Sequence, residues 1–175
     1  DLSTGATSDL DDGDWSSPTA PQSASGTTSF NFFVYYRQTG LIYGAKAGTN
    51  IWAFDTQGAA FVEDSATITY TYIGQGLVHP KDDILYVPYY NNGGAAGAKS
   101  FIASKNGAAA WSTTALTLPD HLVPTTISAY GNFLSIGCVP ANGVGDSIVY
   151  LWDRNSSLTT LSESINWGTG SLIIL

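Results

Sequence analysis

The side chains of this 175-residue chain that could do chemistry are two His, one Cys and fourteen Asp plus Glu, and few of them are spaced to act together. Glycoside hydrolysis needs two carboxyl groups facing one bond. Glu63, Asp64 and Glu163 are the candidates, but the first two are neighbours in a turn and Glu163 falls on an outer strand, so all three read as solvated surface groups. His79 and His121 stand 42 residues apart, beside Pro80 and Asp120. A metal centre would need a third and a fourth ligand in matching geometry; none is evident, and both read as structural or loop histidines. Cys138 lies in the alternating run Phe133-Leu134-Ser135-Ile136-Gly137-Cys138-Val139, where a thiol behaves as a buried small hydrophobe rather than a nucleophile. A lone cysteine also excludes an intrachain disulfide framework and a multi-cysteine zinc site.

Asp9-Leu10-Asp11-Asp12-Gly13-Asp14 sets carboxylates around a Gly, an arrangement suited to a hard cation, yet it lacks the late bidentate Glu that completes a calcium loop. Together with Asp1 it makes the start of the chain a solvated acidic tail. Gly93-Gly94-Ala95-Ala96-Gly97 lacks the Lys and the following helix that a phosphate-cradling loop requires. The formal charge of −8, with six Lys plus Arg against fourteen Asp plus Glu, would repel a phosphate backbone and argues against nucleic acid as a partner. No run approaches the ~20 apolar residues of a membrane span, and the start does not resemble a signal peptide. We expect no catalytic residue, no cofactor and no metal ligand.

The regular feature of the chain is architectural. Trp52-Ala53-Phe54-Asp55-Thr56-Gln57-Gly58, Phe101-Ile102-Ala103-Ser104-Lys105-Asn106-Gly107 and Tyr150-Leu151-Trp152-Asp153-Arg154-Asn155-Ser156 recur 49 residues apart with one chemistry at each place. A fixed spacing of this kind marks an array of like supersecondary units. Aromatics at 13% outnumber charged residues at 11%, and nineteen Gly with seven Pro punctuate short apolar runs, as an all-β chain with tight turns requires.

Each unit reads as four short antiparallel strands. In the first, these are Phe30 to Tyr36, Leu41 to Gly44, Ile51 to Asp55 and Ala66 to Tyr72. In the second, they are Gly76 to Pro80, Ile84 to Tyr90, Lys99 to Ser104 and Ser112 to Leu118. The third has Leu122 to Tyr130, Phe133 to Val139, Ser147 to Asp153 and Leu158 to Ile165, and Ser171 to Leu175 would open a fourth. Within the tyrosine pairs Tyr35-Tyr36 and Tyr89-Tyr90, alternation should turn one ring inward and one outward.

Ile148-Val149-Tyr150-Leu151-Trp152-Asp153, between an alternating strand and a polar turn, resembles the third strand of a WD-repeat-type β-propeller blade. The resemblance spans roughly residues 29–175; Phe54-Asp55 and Ala103-Ser104 stand in place of Trp152-Asp153, and the Gly-His pair of true WD repeats is absent. It implies blades stacked about an axis. Because such rings hold about four to eight blades, it also implies missing blades on the same polypeptide or completion by other chains. Ser104-Lys105-Asn106-Gly107-Ala108-Ala109-Ala110-Trp111 is similar to the Asp-box of sialidase-type propellers, a structural turn with Trp packed beneath it. A sialidase would need several arginines to clamp a carboxylate, and Arg37 and Arg154 are the only two. Residues 150–172 are similar to repeat segments of propeller-like virion proteins of tailed bacteriophages, which implies a structural or attachment role.

The expectation is therefore an all-β, β-propeller-like array of four-stranded antiparallel blades, about three blades plus one strand in an incomplete ring. Residues 1–26 form an acidic arm carrying Trp15 as an anchor, and residues 27–175 a partial propeller divided at about 27–72, 73–120 and 121–167, with the next blade starting at 171–175. Trp52, Asp55, Phe101, Ser104, Trp111, Tyr150, Trp152 and Asp153 are the structural repeat positions. The chain reads as a piece of a longer polypeptide: a non-enzymatic structural or attachment module of a virion or other extracellular assembly. Its expected partners are other subunits or missing blades and a host-surface protein or glycan. The alternative is a fragment of a carbohydrate-active propeller enzyme whose catalytic residues lie outside the chain.

Overall fold

A computed structural model of the chain describes residues 30–46, 51–55, 60–63, 68–155 and 158–160. The acidic arm, Trp15, Asp64, Glu163 and the strand expected at 171–175 lie outside the described residues. Among the described residues there is no helix, and the strands form three antiparallel sheets in chain order. The first holds β1 (Phe30–Tyr36), β2 (Leu41–Lys46), β3 (Ile51–Asp55) and β4 (Ala60–Glu63). The second holds β5 (Tyr72–Ile73), β6 (Leu77–Val78), β7 (Leu85–Tyr90), β8 (Ser100–Lys105) and β9 (Ser112–Leu118). The third holds β10 (Leu122–Tyr130), β11 (Phe133–Pro140), β12 (Ile148–Trp152) and β13 (Leu158–Thr160). Short turns make each sheet a meander. Gly131, at φ +59°, takes the left-handed dihedral that the two-residue link between Tyr130 and Phe133 requires.

The first unit departs from the sequence expectation at its last strand. That strand is Ala60–Glu63, paired with β3, and not Ala66 to Tyr72. Tyr72, expected to close the first unit, instead opens the second: β5 pairs with Tyr89 and Tyr90 of β7, and β6 continues along the same edge by pairing with Leu85 and Tyr86. The leading strand of the second sheet is thus broken at Gly74-Gln75-Gly76. The break is steric. A Cβ on Gly74 would lie 2.6 Å from the Thr125 carbonyl oxygen of β10, and one on Gly76 would lie 2.9 Å from the Phe32 ring of β1. The segment is squeezed between the leading strands of the flanking sheets, and β6 touches both β1 and β10.

The three sheets stack face to face over two apolar layers. Phe32, Tyr36, Tyr43, Ala45, Ile51 and Ala53 of the first sheet meet Leu85, Val87, Tyr89, Phe101 and Ala103 of the second. The opposite face of the second sheet, Tyr86, Ile102 and Leu118, meets Leu134, Ile136, Cys138, Tyr150 and Trp152 of the third. A sheet covered on both sides has no outward face. Tyr36 is buried and Tyr35 exposed, as alternation requires, but Tyr89 and Tyr90 are both buried because β7 lies in the covered sheet. Cys138 is fully buried in the second layer, where desolvation pushes its thiol up to about 12.

Positions 49 apart occupy like faces. Trp52 opposes Gly44, Phe101 opposes Tyr89 and Tyr150 opposes Ile136, each on the middle ladder of its own sheet. Phe101 and Tyr150 both face the preceding sheet, whereas Ala53 and Ile102 face the following one. Trp152 is 3% exposed, its indole edge-on to the Tyr86 ring at 5.8 Å between centroids. Trp152→Ala would leave a cavity between the second and third sheets and should lower the unfolding free energy by ~3–5 kcal/mol. The measurement is the urea midpoint, and an unshifted midpoint would contradict this packing.

Candidate functional site

The repeat positions sit at strand ends and sheet contacts. Trp52 is half-buried on β3, and Asp55, Ser104 and Asp153 lie where the third strand of each sheet runs into its turn. Asp153 Oδ1 accepts the Asn155 amide at 2.9 Å and so shapes that turn. Trp111, at the end of the turn after β8, packs edge-on to Tyr43 at 6.0 Å. Between these rings the chain buries a cation of its own. Lys105 Nζ lies 5.9 Å and 5.7 Å from the Tyr43 and Trp111 ring centroids and donates to the Ala109 carbonyl at 3.0 Å. The Tyr36 hydroxyl donates to the Lys105 carbonyl at 3.0 Å and accepts the Gly107 amide at 2.6 Å, stapling this turn to the first sheet.

The β6–β7 turn, Lys81-Asp82-Asp83, reaches both neighbours. Asp83 Oδ2 accepts Arg37 Nη2 at 3.1 Å and its carbonyl accepts Gln38 Nε2 at 2.8 Å, tying the turn to the first sheet. Asp82 pairs with the Arg154 guanidinium, and Arg154 Nε donates to the Asn132 carbonyl at 2.8 Å, tying the turn to the third. Lys81 adds a bond to the Asn132 side chain. Among the described residues Asp83 and Arg154 are the two non-glycine residues with left-handed φ, +57° and +69°. A left-handed non-glycine backbone costs roughly 1 kcal/mol or more, which the clamp contacts offset.

His79 is fully buried against this clamp. Its Nδ1 meets two donors, the Lys81 amide and Arg154 Nη1, each at 3.3 Å, so Nδ1 is the acceptor and the neutral ring carries its proton on Nε2. Burial first, then the Arg154 guanidinium and, more weakly, Lys81 hold its pKa below 6.5; the Phe133 backbone carbonyl pulls the other way without reaching bonding geometry with Nε2. Asp82 Oδ1 lies 3.4 Å from Nδ1, but against a neutral ring this is no ion pair, and the Asp82 charge is met by Arg154.

At the other end of β7, a cleft of about 290 Å³ opens where the second and third sheets meet, lined by Tyr90, Asn92, Asp120, His121, Ala141 and Asn142. Asp120 is its one carboxylate. Both of its oxygens accept backbone amides, Oδ2 from Gly97 and Oδ1 from Lys99, and its carbonyl accepts the Tyr90 hydroxyl at 3.2 Å. A carboxylate held in this way braces the 91–99 loop. His121 is exposed, and its carbonyl accepts the Ala141 amide at 2.8 Å. Asn142 Oδ1 accepts the Val144 amide at 3.0 Å. The donors and acceptors here suit hydroxyl-rich or peptide ligands.

Neither the clamp nor the cleft was singled out by sequence reasoning. The one available signal was that Arg37, Asp82-Asp83 and Arg154 all fall in turns at the same end of their units. No protein-family model matches the chain, and no curated protein matches it. Among the described residues no group of three or more His, Cys, Asp or Glu is placed to hold a metal ion.

The two arginines differ in burial: the Arg37 side chain is 78% exposed and that of Arg154 15%. Arg154→Ala removes the cation paired with Asp82 and one of the two donors at His79 Nδ1 and should cost ~1–3 kcal/mol, whereas Arg37→Ala should cost below ~1 kcal/mol; urea titrations of both variants should rank them in that order. His79 has a folded pKa below its unfolded value, so its contribution to stability is complete above 6.5 and drains away as the pH falls from there through the lowered folded value. His79→Asn keeps an acceptor and removes the titration, so the drop in melting temperature between about pH 7 and about pH 5 should shrink.

Proposed function

We propose that the chain is a run of blades from a β-propeller-like ring that serves as a non-enzymatic structural or attachment module of a virion, of the tailed-phage kind, or of another extracellular assembly. The observation that carries this reading is the equivalence of faces. Residues 49 apart turn the same way in successive sheets, so one sheet-to-sheet contact is repeated in sequence. A contact that repeats with a fixed hand forms a ring where its rotation closes and an open array where it does not, and we propose the first case. The leading strands agree, since β6 touches β1 and β10 at the common edge where a ring axis would run.

The non-enzymatic part of the reading is supported by where the charged side chains act. Asp82, Asp83, Arg37 and Arg154 hold sheets together, and Asp120 holds a loop. The cleft between the second and third sheets, with its aromatic, amide and imidazole lining, is where a host-surface glycan or protein would be contacted. Stacking and amide hydrogen bonds supply that kind of recognition without chemistry.

Two measurements on the assembled protein test the proposal together. Electron microscopy should show sheets arranged radially about a hole, and a panel of aryl glycosides should show no turnover above heat-denatured protein. An open stack of sheets, or a saturable hydrolysis, would overturn it.

A further inference from the structure

We infer that the clamp between the second and third sheets is an acid-operated switch: a proton on His79 draws Asp82 away from Arg154, so that a tie between two sheets becomes a pair within one.

The geometry sets Asp82 between two claimants. Its Oδ2 meets the Arg154 guanidinium, which comes from the turn after β12, and its Oδ1 lies 3.4 Å from His79 Nδ1, three residues earlier in the chain. While the ring is neutral, Nδ1 accepts from the Lys81 amide and from Arg154 Nη1, each at 3.3 Å. Arg154 is then held by the carboxylate, by the ring and, through Nε, by the Asn132 carbonyl. A proton on Nδ1 inverts this arrangement. The ring nitrogen becomes a donor facing two donors, and Arg154 Nη1 loses its acceptor and stands 3.3 Å from a second cation. Asp82 Oδ1 is the carboxylate oxygen already beside the new N–H.

The surrounding charges leave no spare anion. The β6–β7 turn carries Lys81, Asp82 and Asp83, the first sheet brings Arg37, which is paired with Asp83, and the third brings Arg154. Among the described residues of the clamp, Lys81, Arg37 and Arg154 thus face two carboxylates while His79 is neutral, and a charged ring adds a fourth cation. Asp153, next to Arg154, has Oδ1 engaged by the Asn155 amide. Like charges this close repel more strongly in a site shielded from water than at the surface.

Arg154 is the side that yields. His79 is fully buried, its backbone amide donates to the Ile84 carbonyl and its own carbonyl accepts the Asp83 amide, each at 2.9 Å, so the ring stays in place. Among the described residues its Nε2 finds no partner, and the new charge has to be met on the Nδ1 side. The bonds from Arg37 and Gln38 to Asp83 do not involve the ring and persist. Burial and the neighbouring guanidinium keep the folded pKa below 6.5, so the clamp is shut at neutral pH and opens only in acid. The switch is built from contacts between two sheets and operates whether or not those sheets belong to a ring.

The test is NMR of the 175-residue chain labelled with nitrogen-15, reading hydrogen-exchange protection at two groups, each corrected for the intrinsic rate at the same pH. One is Arg154 Nε–H; the other is the Gly107 amide, which the Tyr36 hydroxyl accepts at 2.6 Å in the staple between the first and second sheets. Between about pH 7 and about pH 5, Arg154 should lose protection by about tenfold or more while Gly107 keeps its own. In His79→Asn, which offers an acceptor and takes no proton, Arg154 should stay protected over the same range. Constant Arg154 protection in the wild type, a parallel loss at Gly107, or an equal loss in His79→Asn would overturn the switch. The comparison of Arg154 with Gly107 needs no variant, and none of these results depends on how the sheets assemble.

Discussion

The structure depends on one interaction: sheets with large apolar side chains on both faces are stabilised by covering one another. The second sheet is covered on both faces. Every residue of β7 is buried, because odd positions enter the layer shared with the first sheet and even positions lie toward the third. The hydrophobic term is non-directional, so it drives stacking without choosing an order. Rear meets forward at each contact: Tyr89, Phe101, Tyr150 and Trp152 face the preceding sheet, and Phe32, Tyr36, Tyr43, Tyr86 and Ile102 face the following one.

Polar groups act on this frame as locks. The Asp82-Asp83 turn bonds one neighbour through each carboxylate, and His79 fills the space beneath as a neutral acceptor. A neutral ring is the consistent choice, since a buried cation beside Arg154 would be opposed by both desolvation and like charge. The Lys105 ammonium avoids that problem by resting between two aromatic rings and a carbonyl oxygen, and it spans the same pair of sheets as the Tyr36 hydroxyl. Apolar layers set how the sheets stack, and these locks fix their angular setting at one end. The opposite end is left to the 91–99 and 141–147 loops that border the cleft.

How much was legible follows from which signals are local. The last three strands of the second unit and the first three of the third could be traced because alternating runs such as residues 133–139 are bounded by Gly and Asn turns that act within a few residues, whereas the leading strand of the second unit, expected at Gly76 to Pro80, is split into Tyr72–Ile73 and Leu77–Val78. The fourth strand of the first unit was not traced. Ala60–Glu63 is a short run, and the stronger alternation at 66–72 drew the assignment to itself. Of that stretch, Ile68 and Tyr70 enter the first layer, and Tyr72, on β5, pairs with Tyr90 of β7 in the next sheet. Local propensity says that a segment is extended; it does not say which strand it will lie beside. Alternation likewise separated Tyr35 from Tyr36 correctly and failed for Tyr89 and Tyr90, because the second covering sheet comes from residues far along the chain.

The amino-acid sequence by itself determined the all-β class, the 49-residue period, the turns and the burial of Cys138, since each depends on side-chain size, glycine freedom and alternation within a single unit. Only the tertiary structure decided that Asp82 and Asp83 would face arginines from two different sheets, that His79 would be sealed beneath them, and that Tyr90, Asp120 and Asn142 would share a cleft. These are meetings between units, and charge and hydrogen-bond partners at such separations are selected by the angle and register of stacked sheets, quantities that no single stretch of chain encodes.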